Sequence, residues 1–403
     1  MTHSFRLSRR GIFWSSASVL ALSLWSSGAP SVLYPIYARE WNLPSVVVTA
    51  VFGTYPVALL LVLLFFGGVS DFIGRRRAML IGVGLIAVSA AVFALAPNVG
   101  WLFVARVLQG VGVGFALGAA SAALVEHNIS TNPRFASSLT TASTAAGLTL
   151  VLLISGVLAQ LAPLPLVLSY LILFVLAAVA FVFVMLSPDD RPLPNRSGFR
   201  PQRPHLPRGN VRAFVVATLS VGVAYAVGAI FLSLGATMAS QLTDTSNLVV
   251  IGATLALSSL CIGVTALLIQ RIHAHVTIVV GSLVSLVGLG LMAATAASGS
   301  LGLFLTWCVI GGVGYSLAFT GGLALVNRTA APEHRGATLS LVYLIGYLLQ
   351  AITAIGAGAL ATSLSLRVAI DVAAPAVGLL CVAAIILAGV DFGARRRAMA
   401  PAA

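Results

Sequence analysis

The sequence predicts an all-α polytopic membrane protein: twelve transmembrane helices in two six-helix bundles related by a pseudo-two-fold axis. Three observations predict it. Of the 403 residues, 59% are hydrophobic and only 8% charged, against about 25% charged in soluble domains. Twelve apolar runs approach or exceed the ~20 residues a helix needs to cross a hydrocarbon core of about 30 Å. Features of the first half also return about 200 residues later. This composition excludes a soluble enzyme, because two or three water-surrounded domains could not hide so much apolar surface. Inside lipid the backbone must satisfy its own hydrogen bonds, which leaves helices or closed barrels, and these runs are too long for barrel strands.

The predicted spans cover approximately residues 13–37, 45–70, 78–96, 100–126, 135–160, 165–187, 212–240, 246–270, 276–297, 300–327, 336–361 and 367–390. The first follows Ser8-Arg9-Arg10-Gly11-Ile12-Phe13, a pattern that looks like a twin-arginine export signal. Yet the run continues through Ser27 and Pro30 to Tyr37 at full spanning length and eleven more spans follow, so the arginines read as anchors. The third and fourth spans are joined only by Pro97-Asn98-Val99-Gly100, which forces antiparallel neighbours. Residues 188–211 are rich in Pro and Arg and cannot form a regular helix. They divide the chain into an N-terminal six-helix bundle (1–187), a linker (188–211) and a C-terminal six-helix bundle with a short tail (212–403). Gly110-Val111-Gly112 matches Gly312-Val313-Gly314 at an offset of 202, and Arg134-Phe135-Ala136-Ser137 matches Arg335-Gly336-Ala337-Thr338 at 201. Six spans plus six, with equivalent spans pointing the same way, describe a parallel repeat about an axis along the membrane normal.

All 22 basic residues are arginine, against 9 acidic residues, for a formal net charge of +13. Placing the N-terminus in the cytoplasm puts 19 arginines on that side, two (Arg39 and Arg367) opposite, and Arg106 within a span. That asymmetry predicts an inner-membrane, multi-pass protein with both termini cytoplasmic. The charge is therefore topological, and nucleic acid is not an expected partner: the only polar stretch of any size is 188–211.

Between the second and third spans stands Gly67-Gly68-Val69-Ser70-Asp71-Phe72-Ile73-Gly74-Arg75-Arg76-Arg77. It resembles the signature loop of the major facilitator superfamily (MFS): Gly67, Asp71, Gly74, Arg75 and Arg76 stand in place, while Phe72 replaces the usual basic residue. A second family signature, Arg-x-x-Gln-Gly-x-Gly in the fourth span, is met by Arg106, Gln109, Gly110 and Gly112. The resemblance implies a secondary transporter working by alternating access, with a solute site near midplane between the bundles. It also implies that the Asp71 cluster is a gate that holds the cytoplasmic side shut. The residues support that role independently. Gly67 and Gly74 allow close approach and a tight turn, Asp71 can pair with Arg75 or cap a helix, and the arginines can anchor to anionic lipid.

Arg106 is the one ionisable residue well inside a span, five residues past the interfacial Trp101, and such a charge faces a cavity or a partner. Gln109 adjoins it. Other candidates to line a path are Tyr34 in the first span, Tyr225 in the seventh, and Tyr343, Tyr347 and Gln350, which share one face of the eleventh at i, i+4 and i+7. No carboxylate lies deep in a span: Glu40, Asp244 and Asp371 fall at one end, and Asp71, Glu126, Asp189, Asp190, Glu333 and Asp391 at the other. Protons, if coupled, would use those ends or the solute itself. The fifth-span antiporter signature is degraded: Gly147 is present, Val151 and Leu152 occupy its Gly-Pro positions, and Ser155 precedes Gly156. Cys261, Cys308 and Cys381 read as core residues, and His273 with His275 is a weak metal-like pair. A chain without lysine has no Walker-type nucleotide loop. The expected function is transport of a small organic solute, efflux of amphipathic or drug-like compounds ahead of uptake of an organic anion recognised by Arg106. No enzyme activity, cofactor or metal is expected, and the expected partners are solute and lipid, with the chain a monomer.

Overall fold

A computed structural model describes residues 6–67, 69–131, 134–188, 210–243, 247–269, 271–330 and 335–398. The described residues form helices α1 (Arg9–Glu40), α2 (Ser45–Phe66), α3 (Val69–Ile73), α4 (Arg75–Ala94), α5 (Val99–Glu126), α6 (Arg134–Leu161), α7 (Pro165–Met185), α8 (Val211–Thr243), α9 (Leu248–Leu268), α10 (Ala274–Ser298), α11 (Leu301–Thr329), α12 (Arg335–Ser363) and α13 (Leu366–Ala398). No strand occurs among them. Twelve are long and apolar enough to cross a membrane, all except α3. Two spans run furthest past their predicted limits, α1 starting four residues early at Arg9 and ending three late at Glu40, and α13 continuing eight residues beyond 390 to Ala398, while the second, expected to reach residue 70, falls short. α2 stops at Phe66 and the chain turns at Gly67, because consecutive glycines cost about 1 kcal/mol each inside a helix.

Short polar signals set the boundaries. Ser8 accepts from the Gly11 N–H at the start of α1, Asn98 from Gly100 at α5, Asn247 from Val249 and Val250 at α9, and Ser300 from Leu303 at α11. Each satisfies donors that a helix start leaves orphaned. Gly299 ends α10 with φ 66°.

Two six-helix bundles result. In the first, α1 packs on α5, α6 and α7, α2 on α5, and α4 on α5 and α7; in the second, α8 packs on α11, α12 and α13, α9 on α11, and α10 on α11 and α13. The repeated Gly-Val-Gly explains part of this likeness. A Cβ at Gly110 would stand 2.5 Å from the Tyr55 carbonyl of α2, and one at Gly312 2.5 Å from the Ser258 carbonyl of α9. Gly112 similarly meets Gly82 of α4, and Gly314 meets Ser285 of α10. The bundles meet along two seams, α2 with α12 and α6 with α9. α1 and α8 are the most enclosed spans, whereas α7 and α13 present broad apolar faces outward. Residues 189–209, most of the predicted linker, lie outside the described residues.

Candidate functional site

Arg106 lies on α5 and is fully buried. Its environment is built by a defect in α1. Pro30 has no N–H, so the Ser26 carbonyl four residues earlier loses its helical donor. Gln109 supplies one, its Nε2 donating to that carbonyl at 2.5 Å. One turn earlier on α5, Arg106 Nη1 donates to the Ser27 carbonyl at 3.2 Å and to Gln109 Oε1 at 2.6 Å. The remaining edge of the guanidinium is taken by one atom: Nε donates to the Tyr34 hydroxyl at 3.1 Å, and Nη2 donates to the same oxygen. Four of the five guanidinium donors are thus used on neutral acceptors. Rings of Tyr34, Tyr55, Phe52 and Phe93 surround Cζ with centroids 5.6–5.9 Å away, a distance at which a cation is attracted to an aromatic face. Among the described residues no carboxylate pairs with Arg106. Phe93 stacks on Tyr170 at 4.7 Å, and the Tyr37 hydroxyl donates to that of Tyr170 at 3.4 Å.

The second bundle carries an aromatic cluster of its own. Tyr225 and Tyr347 have ring centroids 4.6 Å apart, and Phe319 touches Tyr225, Tyr315 and Tyr343. The geometry of α12 accounts for the shared face of Tyr343, Tyr347 and Gln350. Gly346 and Leu349 meet Tyr225 and Gly222 of α8, while Ile355, Gly358 and Thr362 meet Gly53, Thr49 and Val46 of α2. At about 100° per residue, the three polar side chains fall between those two faces, and the opposite face carries the exposed Leu348 and Ile352. Gln350 is buried and its Oε1 has no partner. Tyr55 links the two clusters: its ring centroid lies 5.8 Å from Arg106 Cζ, and α2 carries it at the seam with α12, beside Tyr347.

The structure therefore brings Arg106, Gln109 and Tyr34 together in one bundle and Tyr225, Tyr343 and Tyr347 in the other. Sequence reasoning missed Phe52, Tyr55, Phe93 and Tyr170. The signal for the first box was Pro30, which frees a carbonyl for the Arg-x-x-Gln pair. Nothing in the spacing announced Tyr55, because only the seam of α2 with α12 brings it to Tyr347.

At the arginine-rich end, α2 gives way at Gly67 to α3, which carries Asp71 and whose side chain there lies outside the described residues. Gly74 has φ 93° and ψ 150°, a region only glycine occupies without strain, so it fixes the turn from α3 into α4. Arg75 then donates from Nε and Nη2 to Glu126 Oε1 at 3.2 and 3.1 Å and from Nη1 to Ser70 Oγ at 2.6 Å, and Arg76 donates to the Met185 carbonyl at 2.6 Å. Glu126, at the end of α5, is a member of this cluster that the motif itself does not name. In the second bundle, His275 and Asp391 form a buried pair, Nε2 to Oδ2 2.8 Å, joining α10 to α13. His273 stacks beside His275, and burial followed by the charges of His275 and Arg328 lowers its pKa. Among the described residues, no three His, Cys, Asp or Glu side chains gather as a metal site.

The sequence profile of the Major Facilitator Superfamily matches residues 16–283. Among solved structures, one described as a bacterial homolog to the human lysosomal transporter Spinster, in an inward-facing and occupied conformation, is similar over 95% of this chain and 96% of that one. Its TM-score is 0.70 and its sequence identity 13%, a likeness of fold. No curated protein matches.

Proposed function

Because this chain belongs to the major facilitator superfamily, whose fold is that of a secondary transporter, we propose that it carries a small amphipathic organic anion between its two bundles by alternating access. The observation that carries this reading is the guanidinium edge of Arg106, formed by Nε and Nη2, which a single Tyr34 hydroxyl occupies. That edge fits the two oxygens of a carboxylate better than one hydroxyl, and the charge behind it has no carboxylate partner among the described residues. The apolar body of the solute would lie against Tyr55, Tyr347, Tyr225 and Tyr343, with Gln350 offering the unused Oε1. Extrusion of cationic compounds is less well supported, since a lone Arg106 repels them. The charge-poor aromatic lining favours one second reading, efflux of neutral amphipathic compounds.

The remaining assignments belong to the same proposal. The chain sits in the inner membrane with both termini and the Arg-rich end in the cytoplasm, as the 19-to-2 arginine distribution supports. It acts as a monomer, since the path runs between its own bundles, and any proton would travel on the solute or use carboxylates at helix ends. Gly67, Asp71, Gly74, Arg75 and Arg76, joined by Glu126, form the cytoplasmic gate. The test is uptake of aryl carboxylates, sugars and quaternary amines into liposomes, with and without a pH gradient. Carboxylate transport that Arg106→Ala abolishes supports the proposal; transport of amines alone, or carboxylate transport indifferent to Arg106, refutes it.

A further inference from the structure

The two seams are closed at the arginine-poor end by hydrogen bonds that cross from one bundle to the other, and the two crossings are copies of each other. α2 starts behind Pro44, which offers no side-chain cap, and the Val46 N–H donates to Thr362 Oγ1 of α12 at 2.7 Å. Thr362 Oγ1 in turn donates to the Gly358 carbonyl at 2.9 Å, which fixes its lone pair toward α2. At the other seam, Asn247 caps the Val249 and Val250 N–H groups of α9 but not that of Leu248, which donates to Gln160 Oε1 of α6 at 2.9 Å. Each helix start of one bundle is completed by a side chain from the end of a helix in the other. Donor to donor the separation is 248 − 46 = 202, and acceptor to acceptor 362 − 160 = 202, the offset that relates Gly110 to Gly312. The backbones are close enough at both seams to make these reaches short: Gly358 packs on Thr49, and Gly156 on the Leu248 carbonyl.

We infer that Gln160 and Thr362 form a repeat-related pair of capping contacts that together latch the arginine-poor end shut and so set the balance between the two access states. Both acceptors lie at the end where the bundles must part for the path to open that way. If each bundle moves as a rigid body, a single rocking motion breaks both contacts, and the released N–H groups pass to water. A net hydrogen-bond contribution of the usual size makes each contact worth about a 2- to 12-fold change in the ratio of closed to open. The two changes multiply, because one motion breaks both. These contacts are neutral, so salt leaves them unmoved, unlike the arginine cluster at the opposite end.

The experiment reads the opening without any solute, so the latch and the anion site can fail separately. Leu95 and Ala297 are exposed, lie at the arginine-poor end of α4 and α10, and are themselves 202 residues apart. Spin labels are placed at these positions after Cys261, Cys308 and Cys381 are replaced by alanine, and distances are measured by double electron–electron resonance in lipid nanodiscs. Gln160→Met and Thr362→Val, which keep volume and remove the acceptor, should each enrich the long-distance population about 2- to 12-fold, and the double variant should show the product. Thr362→Ser should match the parent. In the Thr362→Val background, Gln160→Glu should move the population back toward short distances, because it keeps the acceptor and places negative charge at the start of α9. Folded Met and Val variants with the parent distribution would overturn the latch, and a response at only one seam would overturn the paired action. Should those variants not fold, Thr362→Ser and Gln160→Glu, each alone in the otherwise parental chain, decide: a widened distribution in either overturns it.

Discussion

Replacing Tyr34 by phenylalanine separates an anion-binding Arg106 from a purely structural one, because the two roles predict opposite signs. In the empty protein the Tyr34 hydroxyl receives both Nε and Nη2 of the guanidinium. A solute carboxylate that docks on this edge must first displace that hydroxyl. Hydrogen bonds to a charged group contribute about 1.5–3 kcal/mol net, so removing the competitor should tighten carboxylate binding by up to about 10- to 150-fold. The empty variant should be less stable by a similar amount, since the guanidinium keeps its ring contacts, the one at position 34 included, but as hydrogen-bond acceptors only the Ser27 carbonyl and Gln109 Oε1. Bound ligand stabilises by RT ln(1 + [L]/Kd), or about 2.7 kcal/mol at a hundredfold excess over Kd. The assay is thus thermal unfolding of the purified protein against aryl carboxylates, with a sugar and a quaternary amine as controls. Tyr34→Phe should melt lower when empty and gain more from carboxylate than the parent does, whereas Arg106→Lys, which keeps the charge but loses the fork, should gain little. Weaker carboxylate binding in Tyr34→Phe, or greater stabilisation by the amine, would refute the reasoning.

Other outcomes follow from the same geometry. Glu126→Gln should lower stability by no more than about 1 kcal/mol, since the Arg75–Glu126 pair is partly exposed. Transport by Glu126→Gln and by Asp71→Asn should nonetheless fall far more than the amount of folded protein in the membrane; equal losses in activity and amount remove the gate. Gly74→Ala should cost about 1–3 kcal/mol from the φ of 93° alone, read as a lower melting temperature. His275→Ala deprives buried Asp391 of its 2.8 Å partner and should cost about 1–3 kcal/mol. His273, whose pKa is lowered by burial and by neighbouring positive charge, binds fewer protons folded than unfolded. Stability should therefore be full above about pH 6.5 and decline as pH falls below it, and His273→Gln should flatten that slope in a melting series from pH 7.5 to 5.5.

The fold was legible in the sequence because its solvent is lipid. A run of apolar residues long enough to span has only one way to satisfy its backbone, so span number and order followed from hydropathy; the limits slipped where glycine let α2 end early at Phe66 and where α1 and α13 carry their helices on into the arginine-bearing ends at Arg9 and Ala398. The offset of about 200 residues proved to be a packing repeat, with Gly110 and Gly312 each bringing a helix onto a carbonyl of its neighbour. The sites were legible only within one helix. Arg106 with Gln109, and Tyr343 with Tyr347 and Gln350, share helix faces, whereas Tyr55 and Glu126 reach their partners through contacts between helices that no local spacing encodes. The roles of Gln160 and Thr362 were hidden for the same reason: an ordinary polar residue at a helix end becomes a cap only when another bundle puts an orphan N–H beside it.

The scarcity of carboxylates in the interior bears on how an empty carrier returns. An unpaired arginine at membrane depth is costly, and a carrier whose charge were satisfied by solute alone would be trapped each time it emptied. Tyr34 removes that penalty: its hydroxyl takes the same two donors that a carboxylate would, and Ser27 and Gln109 hold the rest. A ligand shifts a conformational equilibrium only by the difference in its affinity for the two states, so a solute that merely replaces Tyr34 leaves the access equilibrium close to that of the empty protein. On this reading the chain returns empty nearly as readily as loaded, and an outward gradient of unlabelled anion should accelerate entry of labelled anion only slightly. Tyr34→Phe should convert that behaviour into obligatory exchange, with net flux falling while exchange persists. Net flux and exchange that fall together in Tyr34→Phe would show that the hydroxyl does no more than hold α1 against α5.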